Sequence, residues 1–368
     1  MVVPDGKFWA GKRVLVTGHT GFKGGWLCLW LEHLGACVQG YALEPSTDPC
    51  LFVCARVAEG MTSRIADVRD LDAVCRTLQD FQPEIVIHMA AQPLVRLSYS
   101  EPVATYATNV MGTVHVLEAV RRISCAAVVI NVTSDKCYEN RETLQAYRED
   151  DPMGGFDPYS SSKGCAELVT NAYRHSYFGQ KDPEKSVPAL ASVRAGNVIG
   201  GGDWAVDRVV PDLVRAACQA QPAVIRNPRA IRPWQHVLEP LHGYLLLAEK
   251  LWDGKAAFAE GWNFGPADME SHPVGWVADR FAEFWGDGAS WRSGEAPGQV
   301  HEAHYLRLDS GKAHSRLDWL PRWGIESGLR NTVAWYQAQR QGADMREYSI
   351  GQIKAYESST NERSHDTA

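Results

Sequence analysis

Along the first half of the chain, short unbroken apolar runs alternate with longer stretches whose apolar residues recur at helical spacing. The first run, residues 12–17 (Lys-Arg-Val-Leu-Val-Thr), reads as a buried strand. A glycine-rich turn follows, then a helix from about 24 to 34 that Gly35 stops. Residues 37–42 read as a second strand, and a short third one precedes Asp67. Helices are predicted near 71–80, over 109–123 and from 158 past 173, with strands at 84–88, 127–132 and 189–193. Continuous apolar strands suit a sheet buried on both faces, and their alternation with helices predicts that it is parallel. The predicted fold class is α/β: a Rossmann-type, doubly wound parallel sheet with a smaller, mixed α/β C-terminal domain that binds substrate.

The pattern changes after Arg194. Residues 196–203 are glycine-rich and loop-like, and Trp and Pro become frequent, as in Pro228-Arg229-Ala230-Ile231-Arg232-Pro233-Trp234. The predicted domains are therefore 1–195 for a dinucleotide and 196–357 mainly for substrate. Residues 238–251 look helical, and about 234–262 is expected to return to the first domain. The polar stretch 358–368 reads as a disordered tail.

Composition narrows the class. The apolar fraction of 45% and charged fraction of 22% are ordinary for a globular enzyme. A net charge of -7 argues against nucleic acid as a partner, while a local basic pocket can still take an anionic small molecule. The nine cysteines are odd in number and scattered, which reads as reduced thiols of a cytoplasmic protein. Cys50 and Cys54 lack a second pair at zinc spacing, so no metal site is predicted. No apolar run reaches membrane-spanning length, and residues 1–11 do not resemble a signal peptide.

Three segments carry chemistry. The turn Thr17-Gly18-His19-Thr20-Gly21-Phe22-Lys23-Gly24 follows the first strand and opens a helix. Its glycines let backbone approach a pyrophosphate at the helix N-terminus, which points to a dinucleotide held by Gly18, Thr20, Gly21, Phe22, Lys23 and Gly24. Neither an acidic residue at the end of the second strand nor an arginine cluster is obvious there, and NAD is preferred over NADP. Asp67-Val68 and the small residues of Ala90-Ala91-Gln92 follow strands at the edge where a cofactor binds; Asp67 also reads as a helix N-cap or turn aspartate, and the small residues as simple tight packing. Asn109 reads as a helix N-cap or a cofactor contact.

Tyr159 and Lys163, at i and i+4, share one helix face. A nearby ammonium is expected to favour phenolate and lower the tyrosine pKa, giving a base for a sugar alcohol. Ser134, Asp135 and Lys136 follow another strand. A simple alcohol dehydrogenase has no use for that extra carboxylate and amine, so a second proton transfer is expected. Taken singly, each of these residues reads as an ordinary turn or surface group; their coincidence behind the glycine turn favours the functional reading.

Taken together, these segments resemble the extended short-chain dehydrogenase/reductase superfamily, and within it the nucleotide-sugar 4,6-dehydratases. The similarity runs from about Trp9 to Tyr356 and includes residues 88–96, 194–204 and 231–237. Ser134-Asp135-Lys136 and Arg232-Pro233-Trp234-Gln235-His236 resemble the branch acting on CDP-glucose. The resemblance implies NAD, a nucleotide-sugar substrate and a homodimer joined by helices 109–123 and 158–173. It also implies a product used for the 3,6-dideoxyhexoses of bacterial surface polysaccharide, such as lipopolysaccharide O-antigen. By resemblance, Tyr159 takes the C4 hydroxyl proton, Ser134 bonds the C4 oxygen, Lys163 and Thr133 lie at the cofactor, and Asp135 protonates the departing C6 hydroxyl. The dTDP-glucose relatives carry Glu where this chain has Lys136, so a neutral Lys136 is the expected C5 base. Asn197 is placed on the diphosphate. Arg208 and Arg232 are candidate phosphate clamps, Arg96 a candidate sugar or phosphate contact, and His301 and Tyr305 candidate nucleotide contacts. Two other readings remain at this point: a 4-epimerase or reductase of the same superfamily, which needs no Asp135/Lys136 pair, and a non-catalytic dinucleotide sensor.

Overall fold

A computed structural model of the chain describes residues 2–143, 145–179, 187–266, 271–294 and 305–359. Six strands come from the first 195 residues: β1 (Arg13–Thr17), β2 (Cys37–Ala42), β3 (Thr62–Ile65), β4 (Ile85–His88), β5 (Val128–Val132) and β6 (Ala189–Ala195). The second half adds β7 (Asn197–Ile199), β8 (Ala223–Ile225), β9 (Ile231–His236), β10 (Gly261–Phe264), β11 (Ser271–Pro273) and β12 (Trp291–Ser293). The main sheet has the order β10-β6-β5-β4-β1-β2-β3, and every pairing in it is parallel. The chain winds outward from β1 to β3, then restarts at β4 and winds the other way, so the switch point lies between β1 and β4.

The central strands β1, β2, β4, β5 and β6 feed two cores. In β1, Val14 and Val16 pack into a large core with Trp26, Trp30 and Leu245, while Leu15 packs into a second core with Val74, Leu78, Val116 and Val120. Helices Phe22–His33 and Leu238–Gly254 cover the first face; helices Leu71–Phe81 and Gly112–Ile123 cover the second. The smaller region holds a three-stranded sheet, β11-β9-β7, and the pair β12-β8.

Three sequence readings shift. The helix expected to open at Asn109 begins earlier: Pro102–Tyr106, Ala107–Met111 and Gly112–Ile123 are consecutive, with a wide turn in the middle. Pro102 is the start signal, and Asn109 caps nothing. β6 continues through Arg194, whose charge finds a buried partner. The last helix, Met345–Ser358, packs against helix Phe22–His33, where Trp30 Nε1 donates to Glu357 Oε1 at 2.7 Å. Ser358 thus closes a helix; residues 360–368 of the expected tail lie outside the described residues. Among the described residues, no helix is long and apolar enough to cross a membrane, and no cluster of three or more His, Cys, Asp or Glu suits a metal ion.

Candidate active site

A cleft of about 810 Å³ runs along the C-terminal ends of the strands and is walled on its other side by residues following β6. The glycine turn lines one end. Gly18 takes a φ of +80°, and a Cβ there would lie 2.8 Å from the backbone nitrogen of Ala90; at Gly24 it would lie 2.2 Å from the Gly18 carbonyl oxygen. Helix Phe22–His33 starts at Gly21 with no side chain capping it, so its first N–H groups are left for a ligand. This backbone cradle fits a dinucleotide pyrophosphate.

The turn is tied to the next strand edge by one threonine. The backbone N–H groups of Met89 and Ala90 donate to Thr17 Oγ1, both at 3.1 Å, and that hydroxyl donates to His88 Nδ1 at 2.7 Å. This arrangement assigns the His88 proton to Nε2, which faces Thr113 Oγ1 at 3.3 Å. Burial, with Lys163 adding to it, holds His88 at about 3, so the ring is neutral.

Thr20, Gly21, Phe22, Lys23, Asp67, Val68, Ala90, Ala91, Gln92 and Thr133 all line the cleft. Asn109 does not. It is buried behind the wall, where its Oδ1 accepts from the Gln92 N–H at 2.8 Å and its Nδ2 donates to Ser162 Oγ at 2.8 Å. Its place in mid-helix, one layer back, makes it a brace between the β4 edge and the tyrosine helix. Lys23 leaves the phosphate edge and donates to the Tyr244 hydroxyl at 2.7 Å. Burial, then the Lys163 charge, lowers its ammonium to about 7, against the pull of Asp135.

The proton-transfer groups meet across the middle of the cleft. Helix Pro158–Ser176 begins at the Asp157 cap, whose carboxylate accepts from the Ser160 N–H at 2.9 Å. Tyr159 and Lys163 are both buried, and Lys163 donates to the Val132 carbonyl at 3.3 Å. Burial lowers the Lys163 ammonium to about 8, with Cys137 and Glu167 resisting. The expected depression of the Tyr159 pKa is reversed in the cleft. Burial raises the phenol to about 12, with a hydrogen bond to Ser134 lowering it, Asp135 raising it and Arg208 lowering it. Desolvation of the phenolate decides the sign. The Ser134 hydroxyl donates to Asp135 Oδ1 at 2.9 Å, and Asp135 Oδ2 is buried with no hydrogen-bond partner among the described residues. Lys136 is half-buried and lines the same cleft.

Long cations line the far end. Arg232 is buried and Nη1 donates to the Ile231 carbonyl at 3.0 Å. Arg208 pairs with Asp203 at 2.8 Å, and Asp207 bridges Arg96 at 3.3 Å and Arg226 at 2.6 Å. Asn197 lines the wall as the first residue of β7. Tyr305 is off the cleft: its carbonyl accepts from Asn140 Nδ2 at 3.1 Å, and Leu306 is the residue that reaches the wall. His301 lies outside the described residues, as does its neighbour His304. Sequence reasoning missed Arg226, Asp203, Asp207 and Tyr244. Arg226 had a signal, since it opens the same arginine-rich stretch as Arg232; Tyr244 had none.

Comparison with known proteins settles the family. Residues 15–332 match the family model described as GDP-mannose 4,6 dehydratase. The chain belongs to the GDP-mannose 4,6-dehydratase family. It is 54% identical over 356 residues to the CDP-glucose 4,6-dehydratase of Salmonella typhimurium, covering 97% of this chain and 99% of that protein. Among solved structures, the epimerase Mth375 of Methanothermobacter thermautotrophicus superposes with a TM-score of 0.80 at 22% identity, covering 93% of this chain and 96% of that one. The NAD complex of Bacillus anthracis dTDP-glucose 4,6-dehydratase superposes with a TM-score of 0.73 at 19% identity, covering 90% and 99%. At such identities the two structures speak for the fold alone.

Proposed function

We propose that the protein is an NAD-dependent nucleotide-sugar 4,6-dehydratase, a hydro-lyase converting CDP-glucose to CDP-4-keto-6-deoxyglucose. The observation that carries this reading is the meeting of Tyr159, Ser134, Asp135 and Lys136 in one cleft with the glycine cradle. The Salmonella relative's printed activity supports the cytidine base and the glucose.

The cradle of Gly18, Gly21 and Gly24, with Lys163, would hold the cofactor. NAD, when bound, supplies a reversible oxidation at C4 whose electrons return at C6. Tyr159 takes the C4 hydroxyl proton, and the Arg208 charge favours its phenolate. The new C4 carbonyl acidifies the C5 proton, and Lys136 is the base for it. Asp135, with an oxygen free of other duties, is the acid for the departing C6 hydroxyl. Arg208 and Arg232 hold the diphosphate, because guanidinium matches phosphate oxygens in pairs.

CDP-glucose deuterated at C4 tests the reading by mass spectrometry and NMR of the product. Deuterium at C6 of a dehydrated sugar is expected. Deuterium kept at C4 of an isomer would make the protein an epimerase, and no product from any nucleotide sugar would make it a sensor.

We also infer a homodimer joined by its helices. Val103 and Met111 on the run from 102 to 123, and Leu168 on helix Pro158–Ser176, are exposed apolar side chains that a second copy would cover. Light scattering behind size exclusion measures it, and a monomeric mass at micromolar concentration would refute it. The nine unpaired cysteines support a cytoplasmic location.

A further inference from the structure

One buried ion pair grips the acid/base segment at both ends. Glu167 lies one helical turn beyond Lys163 and two beyond Tyr159, on the same face of helix Pro158–Ser176. Its carboxylate accepts from the Thr133 hydroxyl at 2.5 Å, the Ser192 hydroxyl at 2.7 Å, and Arg194 Nε and Nη2 at 2.9 Å each. Arg194 uses its remaining nitrogen, Nη1, to donate to the Tyr138 hydroxyl at 2.6 Å and the Glu149 carbonyl at 3.1 Å. Tyr138 in turn donates to Asn263 Oδ1 at 2.7 Å. Side-chain exposures of 4% and 5% leave this pair almost no water.

Thr133 precedes Ser134, and Tyr138 follows Lys136 by two residues. The pair therefore holds both flanks of the segment whose middle faces the cleft, and it does so from the helix that carries Tyr159 and Lys163. A core that needed only apolar packing would not place two charges here, since burying them costs more than a hydrophobic replacement.

We propose that Glu167 and Arg194 are positioning residues, whose ion pair fixes residues 134–136 at the spacing from Tyr159 that couples C4 oxidation to C5/C6 elimination. This rests on the dehydratase reading. The ion pair touches neither substrate nor cofactor; it acts through the segment it holds. Loosening it lets Asp135 and Lys136 drift while Tyr159 and Lys163 stay on their helix.

Two variants test it. Arg194→Lys keeps a positive charge opposite Glu167 but lacks the second planar nitrogen that reaches Tyr138. Tyr138→Phe cuts the same link from the other side and leaves the ion pair whole; it decides the matter alone if Arg194→Lys does not fold. Each protein is given C4-deuterated CDP-glucose and NAD in a single turnover, with reduced cofactor followed by absorbance and product by mass spectrometry. Cofactor reduction is expected to stay within about twofold of wild type while product forms about 10- to 100-fold more slowly, so reduced cofactor accumulates. Wild-type product rates in both variants, or equal loss of both steps, would reduce the pair to core packing. A wild type that makes no dehydrated product overturns the dehydratase reading and this inference with it, whereas variants that match an active wild type remove this inference alone.

Discussion

At the glycine turn the cleft wall is backbone. Gly18 and Gly24 bring main chain against main chain, the Phe22–His33 helix offers uncapped N–H groups, and Thr17 bonds two further backbone N–H groups at the β4 edge. At the opposite end the wall is side chain. Arg96, Arg208 and Arg226 reach into the cleft from three segments, held by the carboxylates of Asp203 and Asp207. A backbone wall has one conformation and no slack. A wall of paired long side chains can rearrange, because an incoming phosphate replaces a carboxylate of similar geometry. The cofactor end is therefore expected to fail abruptly on small changes, and the substrate end to weaken by degrees.

Gly24→Ala is the hardest test of the abrupt end. The added Cβ would sit 2.2 Å from the Gly18 carbonyl oxygen, so the turn must move. Cofactor affinity is expected to fall more than about 100-fold, equivalent to roughly 3 kcal/mol, by calorimetric titration with NAD. Wild-type affinity in this variant would show that the turn has slack after all. Tyr159→Phe comes next, at the junction of the two ends. It is expected to lower kcat by about 10²- to 10⁴-fold with little change in KM, because it removes a proton acceptor and no binding group. A variant that still dehydrates at the wild-type rate would move the base elsewhere.

The same contrast explains what could be read from the chain. The alternation of strands and helices, the glycine turn and the Tyr159–Lys163 face follow from neighbours within a few residues, so periodicity and spacing reveal them; the order of the seven strands joins segments far apart in the chain and had to be seen in the structure. Lys23 looked like part of the phosphate turn, yet its partner Tyr244 is 221 residues away. Asn109 looked like a cap because its true partners, Gln92 and Ser162, lie on other elements. The Tyr159 pKa was read with the wrong sign, since spacing shows the ammonium but not the burial. Asp207 was invisible because its worth comes from Arg96, over a hundred residues before it. Glu167, by contrast, stood at helical spacing from Lys163 and was open to discovery.

At the graded end, Arg232→Ala is expected to raise the KM for the nucleotide sugar about 30-fold or more with kcat nearly unchanged, since it removes the buried guanidinium proposed to clamp the diphosphate. Asp207→Ala is expected to shift KM by less than about fivefold, because it breaks only half-exposed ion pairs. Steady-state kinetics at several salt concentrations measures both. If Asp207→Ala abolishes binding, the substrate end is as rigid as the glycine turn and the contrast fails.

The smallest effect should not distinguish the two ends at all. Burial holds His88, His236 and His242 at about 3 and His19 at about 4. His19 lies within the glycine turn and His88 ends β4; His236 ends β9 and His242 lies on helix Leu238–Gly254. In the unfolded chain each would titrate near ~6.5, so between that value and the folded one the unfolded state binds more protons. Stability is therefore full above about 6.5 and falls as pH drops below it, by up to about 1.4 kcal/mol per pH unit for each ring. Glu239 works against this. Burial raises its carboxyl to about 7, so it is protonated in the fold, and its contribution grows as pH falls from about 7 toward the unfolded value near ~4.3. Burial raises the carboxyls of Glu32, Glu149, Asp212 and Glu249 in the same direction, but the four rings, whose unfolded value lies near ~6.5, take up protons first on acidification, and a net loss is expected. Because the four rings are buried in one continuous fold, differential scanning calorimetry from pH 7 to 5 is expected to show one transition moving to lower temperature. Two transitions separating with acid would mean that the backbone-built and side-chain-built ends unfold independently.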